Sequence, residues 1–338
     1  MPMKTEYIVL NQERNVSLTA FLQPVGGDFS GLSARPAVLI LPGGGYHFCS
    51  DREADPVAFP YLKAGYQVFI LRYSLNEQAE WPNPLSDYEQ AMALIEKNAE
   101  AWHVAADRIA VIGFSAGGHL AACAATMAQR RPAAAILGYP VIDGDCAHDY
   151  LPSAPDVPSA VDQRTCPCFV FATRTDNLVP VHNAVHLIDA LCANDIAFES
   201  HIYANGPHGL STGDASINGQ DFSARYCAWV EDSIAWLSDV LGGVTAQGLT
   251  PPRFGGQING NREKTLNLDC TLQYLLSHPQ GRALLEEILP SEPGKPSYPP
   301  AAAGVITLRD SLRYSGLSAE AIQSVEQRLL AIDNHPED

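Results

Sequence analysis

Gly113-Phe114-Ser115-Ala116-Gly117 is the stretch of this chain whose residue types and spacing could do chemistry most directly. The G-x-S-x-G spacing is that of a nucleophile elbow, in which a strand turns sharply into a helix and presents a serine hydroxyl. A β-branched apolar run at 108–112 precedes it, suited to a buried parallel strand, and small helix formers follow at 118–125. A serine hydroxyl is a weak nucleophile at neutral pH, so a general base and a group to orient that base must accompany it. In elbow enzymes these follow in the order Ser, then Asp or Glu, then His.

Asp176 lies just beyond the apolar run 168–173, and His208 sits in Asn205-Gly206-Pro207-His208-Gly209 just beyond the run 197–203. Order and placement make Ser115, Asp176 and His208 the expected catalytic residues. Asp162 is a second acidic candidate, and an Asp at 176 also suits a cap for the helix near Val181. His119, one helical turn after Ser115, reads as a packed residue. Acyl transfer also needs donors for a developing oxyanion. The loop Pro42-Gly43-Gly44-Gly45-Tyr46 after the run 37–41 is their expected source: backbone N–H groups of Gly43, Gly44 and Gly45, with that of Ala116. The charged segment Ser50-Asp51-Arg52-Glu53 follows closely enough to brace this loop through an Arg52–carboxylate pair, or to start a helix ahead of Pro56. Tyr46 and Tyr139, with Phe48, Tyr73 and Trp81, lie at or near strand ends, where an aromatic ring either stacks on a sugar or, the commoner use of each taken alone, packs in the core.

The elements that must position these residues read as alternating strand and helix. A hairpin at 7–10 and 16–22 comes first, then strands at 37–41, 68–73, 109–114, 133–139, 168–173 and 197–203. The clearest helices are 87–102, with Ser86 and Glu89 as a capping box, and 222–240. Such alternation predicts an α/β fold: a mostly parallel central sheet with helices on both faces and ligands at the carboxyl ends of its strands. After Val240 the texture changes. The expected division is a catalytic domain over 1–243, a Gly/Pro-rich linker over 244–263, and a small all-α module over 264–338. That module reads as short helices over 266–289, 307–314 and 318–332 around a Pro-rich stretch at 291–303.

With 338 residues and 46% hydrophobic content, the chain can bury a substantial core. Its net charge of -17 argues against nucleic acid and anionic membranes as partners and favours neutral substrates. The first 249 residues hold 13 basic and 27 acidic side chains, a balance of -14. The start of the chain lacks an apolar leader, and no run reaches transmembrane length. Eight scattered cysteines suit reduced thiols in the cytoplasm. The spacing of Cys166-Pro167-Cys168 and of Cys146 with His148 gives neither a redox motif nor a zinc site. No metal or organic cofactor is expected.

Several motifs in order carry a family resemblance: Ile40-Leu41-Pro42-Gly43-Gly44-Gly45-Tyr46, Ser50-Asp51-Arg52-Glu53-Ala54-Asp55-Pro56-Val57-Ala58, Ala64-Gly65-Tyr66-Gln67-Val68-Phe69, Leu71-Arg72-Tyr73-Ser74, and Gly113-Phe114-Ser115-Ala116-Gly117-Gly118-His119-Leu120-Ala121. Over about residues 5–240 the chain resembles bacterial α/β-hydrolase esterases of the acetylxylan esterase-like, hormone-sensitive-lipase-like (BD-FAE) type. Pro42 stands where lipase-like relatives carry His. The resemblance implies the α/β-hydrolase fold and a Ser-Asp-His carboxylesterase on Ser115, Asp176, His208 and the 43–45 loop, acting on short acyl esters, commonly acetyl groups on plant-derived sugars. The tail resembles a small helical module of some gut-bacterial glycoside-active enzymes, for which docking, homo-oligomerisation or lid-like packing near the active site is the expected use. Feruloyl esterase and arylformamidase activities use the same machinery, and a catalytically silent binding protein is the reading from another class.

Overall fold

The structure is a computed structural model and describes residues 2–219, 222–254, 257–289 and 303–334. The chain divides into two compact units, 1–256 and 257–338.

The first unit is built on eight strands: β1 (Lys4–Asn11), β2 (Val16–Leu22), β3 (Arg35–Leu41), β4 (Gln67–Arg72), β5 (Val104–Phe114), β6 (Ala134–Gly138), β7 (Cys168–Thr173) and β8 (Phe198–Tyr203). They lie in the order β1-β2-β4-β3-β5-β6-β7-β8. The β1–β2 and β2–β4 pairs are antiparallel; from β4 onward all pairs are parallel. Between them run α1 (Asp55–Lys63), α2 (Asn83–Lys97), α3 (Ser115–Met127), α4 (Gly144–Tyr150), α5 (His182–Ala193) and α6 (Ala228–Leu241).

Period-2 alternation in the strands explains why both faces are covered. Leu39, Leu41, Phe69, Leu71 and Val111 enter one core with Tyr88, Ala91, Met92 and Ile95 of α2, Leu120 of α3 and Leu187 and Leu191 of α5. Val38, Ile40, Val68, Ile70, Ile112 and Phe114 enter the other with Val57, Ala58 and Tyr61 of α1 and Trp229 and Leu237 of α6. Small residues along α3 bring that helix close to the sheet. A Cβ on Gly117 would sit 2.1 Å from the Leu41 carbonyl oxygen, so only glycine permits this approach.

Three local expectations fail. The helix expected from Asp87 begins at Asn83, with Pro84 in its first turn, and the capping box does not form. Glu89 instead accepts the Gln129 and Arg130 amides, and Asp87 is fully buried, accepting the Ser74 amide at 2.8 Å and pairing with Arg14. The expected 222–240 helix is a 3₁₀ turn at Ala224–Cys227 followed by α6. The expected linker 244–263 is not free chain over its first part: β9 (Val244–Thr245) and β10 (Gly248–Leu249) form a hairpin, and Arg108 donates to the Thr250 carbonyl. Backbone hydrogen-bonding demand, unmet by the apolar pattern, is satisfied there by folding against the first unit.

The second unit contains α7 (Leu272–Ser277), α8 (Pro279–Ile288), α9 (Leu308–Leu312) and α10 (Ala319–Leu330) around Leu266, Leu268, Leu272, Leu285, Leu308 and Leu329. Thr271, Thr307 and Ser318 cap α7, α9 and α10 through their side chains. Residues 291–302 of the expected Pro-rich stretch, with Pro290 before it, and Gly255 and Gly256 of the expected linker, lie outside the described residues. Among the described residues no helix is long and apolar enough to cross a membrane.

Candidate active site

β5 delivers Phe114 to the carboxyl edge of the sheet, and α3 begins at Ser115, whose φ of 52° is left-handed. A non-glycine residue held there stores strain of roughly 1–3 kcal/mol, tolerated because the strand and helix on either side leave the turn no other path. The loop after β7 brings Asp176 to the same edge, and the loop after β8 brings His208. The two loops are tied together, the Gly206 amide donating to Thr175 Oγ1 at 3.0 Å and Thr173 Oγ1 to the Gly206 carbonyl at 2.7 Å.

The result is a continuous chain of contacts. His208 Nε2 lies 2.9 Å from Ser115 Oγ, and His208 Nδ1 lies 2.7 Å from Asp176 Oδ2. A carboxylate can only accept, so Nδ1 carries the proton and Nε2 is left to accept the Ser115 hydroxyl. Asp176 Oδ1 accepts the Leu178 and Val179 amides at 2.9 and 2.8 Å and so closes the turn ahead of α5; the helix itself, with Val181 at its N-cap, takes no cap from the Asp176 side chain. Asn177, unremarked in the sequence, accepts the His208 amide at 3.0 Å and fixes the loop that carries the imidazole. Asp162 is elsewhere, paired with Arg131.

The glycine loop divides. Gly44 and Gly45 line a cavity of about 590 Å³ together with Ser115 and His208, and their amides donate to no acceptor among the described residues. Ala116 is the second residue of α3, so its N–H belongs to the first turn, which has no intrahelical acceptor. Gly43 departs from expectation: its amide donates to Glu53 Oε2 at 2.7 Å and is not available to a ligand. The brace expected from Arg52 therefore comes from its neighbour. Asp51 pairs with Arg72, while Glu53, 3% exposed, accepts from Gly43 and, at 2.5 Å, from the Tyr139 hydroxyl. Burial pushes the Glu53 carboxyl up, and these two donors oppose that.

Tyr46 and Tyr139 are not ligand-facing. Both are buried: the Tyr46 hydroxyl lies 2.7 Å from His119 Nδ1, and the Tyr139 oxygen accepts the Ser211 amide at 3.1 Å while donating to Glu53. Tyr73 likewise spends its hydroxyl on the Pro42 carbonyl, 2.6 Å away. A buried phenol needs a partner, and these rings found theirs within the protein. The apolar and aromatic side chains at the cavity include Phe48 and Leu178, both exposed, and Tyr150, beside the polar His47, Asp51 and Arg52.

The BD-FAE family matches residues 30–157. Among solved structures, MGS-M1, an α/β-hydrolase enzyme from a Medee basin deep-sea metagenome library, is 44% identical, with a TM-score of 0.66 over 71% of this chain and 98% of its own. Endo-1,4-beta-xylanase B of Butyrivibrio fibrisolvens is 29% identical over 207 residues, 52% of this chain and 33% of that protein. Acetylxylan esterase of Xylanibacter ruminicola is 29% identical over 199 residues, 52% of this chain and 41% of that protein. The chain thus spans less than half the length of these two curated relatives. It belongs to the α/β-hydrolase family.

Proposed function

We infer that the chain is a serine carboxylesterase that removes acetyl groups from neutral plant-derived oligosaccharides such as acetylated xylo-oligosaccharides. The observation that carries this reading is the Asp176–His208–Ser115 relay facing the free amides of Gly44 and Gly45 across one cavity. Ser115 Oγ attacks the acyl carbon as its proton passes to His208 Nε2, and Asp176 stabilises the resulting imidazolium. The carbonyl oxygen, now an oxyanion, takes hydrogen bonds from Gly44, Gly45 and Ala116. Collapse expels the sugar hydroxyl, which takes the proton from His208; water then adds to the acyl-serine with His208 again as base, releasing acetate. Nothing in these steps asks for a metal or an organic cofactor.

The names of the two curated relatives, one a xylanase and one an acetylxylan esterase, support xylan-derived substrates. An acidic protein suits uncharged sugars, and eight free thiols support a reducing, cytoplasmic setting. The test is acetate release from acetylated xylo- and manno-oligosaccharides by the wild type beside Ser115→Ala. Release abolished in the variant is the expected result. Cleavage of 4-nitrophenyl acetate with the sugars inert would keep the serine and overturn the substrate, pointing toward feruloyl or arylformamide substrates. Inertness of the wild type on both would overturn the esterase reading in favour of a silent binding protein.

A further inference from the structure

Among the described residues, Glu53 is a buried carboxylate beside the catalytic loops that the reaction above does not use. Its two oxygens tie the glycine loop to a distant segment: Oε2 accepts the amide of Gly43, immediately before the two glycines with free amides, and Oε1 accepts the hydroxyl of Tyr139, 86 residues away and just past β6. The contact chain continues in both directions from Tyr139. Its oxygen accepts the Ser211 amide at 3.1 Å, three residues after His208, and its ring lies edge-on to the His208 imidazole with centroids 4.9 Å apart. Ser211 Oγ donates back to the Arg52 carbonyl at 2.5 Å, closing the circuit onto the residue next to Glu53, and its own carbonyl accepts the Trp229 indole N–H at 2.9 Å.

We propose that Glu53, ionised, is a positioning residue for the esterase reaction: it sets the oxyanion loop through Gly43, sets the His208 loop through Tyr139 and Ser211, and favours the imidazolium that forms when His208 takes the Ser115 proton. This rests on the esterase reading above. Three features support it together. With a donor on each oxygen, the carboxylate form satisfies every hydrogen bond in the circuit, whereas a protonated carboxyl would turn one acceptor into a donor facing a donor. The Gly43 amide is held by a fixed charge rather than by a carbonyl, which makes the bond both short and strong. Tyr139 touches both groups, its hydroxyl on Glu53 and its ring against the imidazole, so the negative charge stands one side chain from His208, where it acts in favour of a positive ring.

The other ionisable groups around the pair leave that interaction as the variable. Asp176, from the loop after β7, contacts His208 directly and is common to all variants below. Tyr139 after β6, Tyr73 after β4 and Tyr226 of the 3₁₀ turn are held neutral by burial, as is Cys49, pushed up to about 11. Arg52 is the remaining cation, and its charge acts on Glu53 in the same sense as that of His208.

The experiment is the pH dependence of kcat and KM on 4-nitrophenyl acetate for wild type, Glu53→Gln and Tyr139→Phe, with Ser115→Ala as the control for the esterase reading. Glutamine keeps the size and one acceptor but loses the charge and puts an NH₂ against a donor. The expected result is a kcat lower by roughly 10²-fold, the scale of a sub-ångström to 1 Å misplacement of catalytic groups, with KM little changed. Because the imidazolium is then harder to form, the acid limb of the kcat/KM profile moves to lower pH; a purely structural loss would lower the profile without moving it. Tyr139→Phe keeps the Gly43 bond but removes one of the two donors that hold the Glu53 carboxylate, so its kcat falls by roughly tenfold, less than in Glu53→Gln. A folded Glu53→Gln with wild-type kcat or an unmoved acid limb overturns the proposal. So does wild-type kcat in Tyr139→Phe, which decides the matter even if the Gln variant does not fold. If Ser115→Ala retains activity, it is the esterase reading that fails, and that outcome is separate from these.

Discussion

Asp176 divides its oxygens between two tasks, one accepting the backbone amides of Leu178 and Val179 and the other facing His208. The division makes the residue separable by substitution. In Asp176→Asn the oxygen can keep the backbone amides, but the NH₂ then faces His208 Nδ1 and favours the tautomer with the proton on Nε2. That tautomer cannot accept the Ser115 proton. The expected outcome is a kcat reduced by roughly 10³–10⁴-fold with KM and thermal stability nearly unchanged, measured on a short-chain aryl ester. Asp162→Asn serves as the contrast. Asp162 pairs with Arg131 and accepts from Arg164 and Thr165, which holds its carboxyl below the usual range chiefly through Arg131. Its loss is expected to lower Tm by a few degrees, on the scale of about 1 kcal/mol, and to leave kcat alone. The reverse ranking of the two variants would move the acidic member of the relay away from Asp176.

At the scale of elements, α3 carries a second consequence besides the elbow. His119 faces the core from this helix, its Nε2 2.9 Å from the Pro155 carbonyl and its Nδ1 2.7 Å from the Tyr46 hydroxyl. A carbonyl accepts only, so Nε2 carries the proton and Nδ1 accepts from Tyr46, which is the neutral ring. Burial pushes the group down to about 4 from its usual 6.5. The unfolded chain therefore binds a proton between these values that the folded chain does not, and stability falls as pH drops from 6.5 toward 4, by up to about 3 kcal/mol. The Glu53 carboxyl, pushed up by burial, contributes with the opposite sign in the acid range. Comparing wild type with His119→Gln isolates the His119 part: melts across pH 4–8 should show a lower Tm for the variant at pH 8 and a shallower fall on acidification. Parallel curves would mean that His119 does not carry the acid sensitivity. The elements themselves were largely legible. Runs such as 37–41 and 168–173 are apolar on both faces because both faces are covered, and the glycines and chain order around Ser115, Asp176 and His208 are local signals. What could not be read was set by distant partners. Glu53 owes its place to Tyr139, 86 residues away, and Asp87 to Arg14, 73 residues away, so local spacing points to Arg52 in place of the first and to a helix start at the second. Tyr46 and Tyr139 have the composition of sugar-stacking residues, and only the packing shows their hydroxyls already engaged inside.

At the scale of the whole molecule, the relay, the glycine loop and the cavity are all supplied by residues 42–209, within the first unit. The apolar clusters respect the same division: two belong to the sheet and its helices, and the third, from Leu266 to Leu329, belongs to the second unit alone. The hairpin of β9 and β10 and the Arg108–Thr250 bond place the end of the first unit's own packing beyond the sheet, so a boundary cut at 243 would remove chain that the first unit uses. A cut after 256 removes none of it. A unit with its own two-sided core folds by itself as a rule, so a chain ending at Gly256 is expected to keep kcat/KM on 4-nitrophenyl acetate within about twofold of the full chain. Ending at Gly243 instead leaves Gly242 and Gly243 without Thr250, whose hydroxyl accepts the Gly243 amide at 2.8 Å, and exposes the Arg108 guanidinium that donates to its carbonyl. That shorter chain should melt lower than the one ending at 256 while retaining the same kcat at low temperature, because what it loses is the closure of the unit and not the site. Equal melting of the two would show that residues 244–256 contribute nothing to the first unit, and a collapse of kcat at Gly256 would show that the second unit takes part in the chemistry.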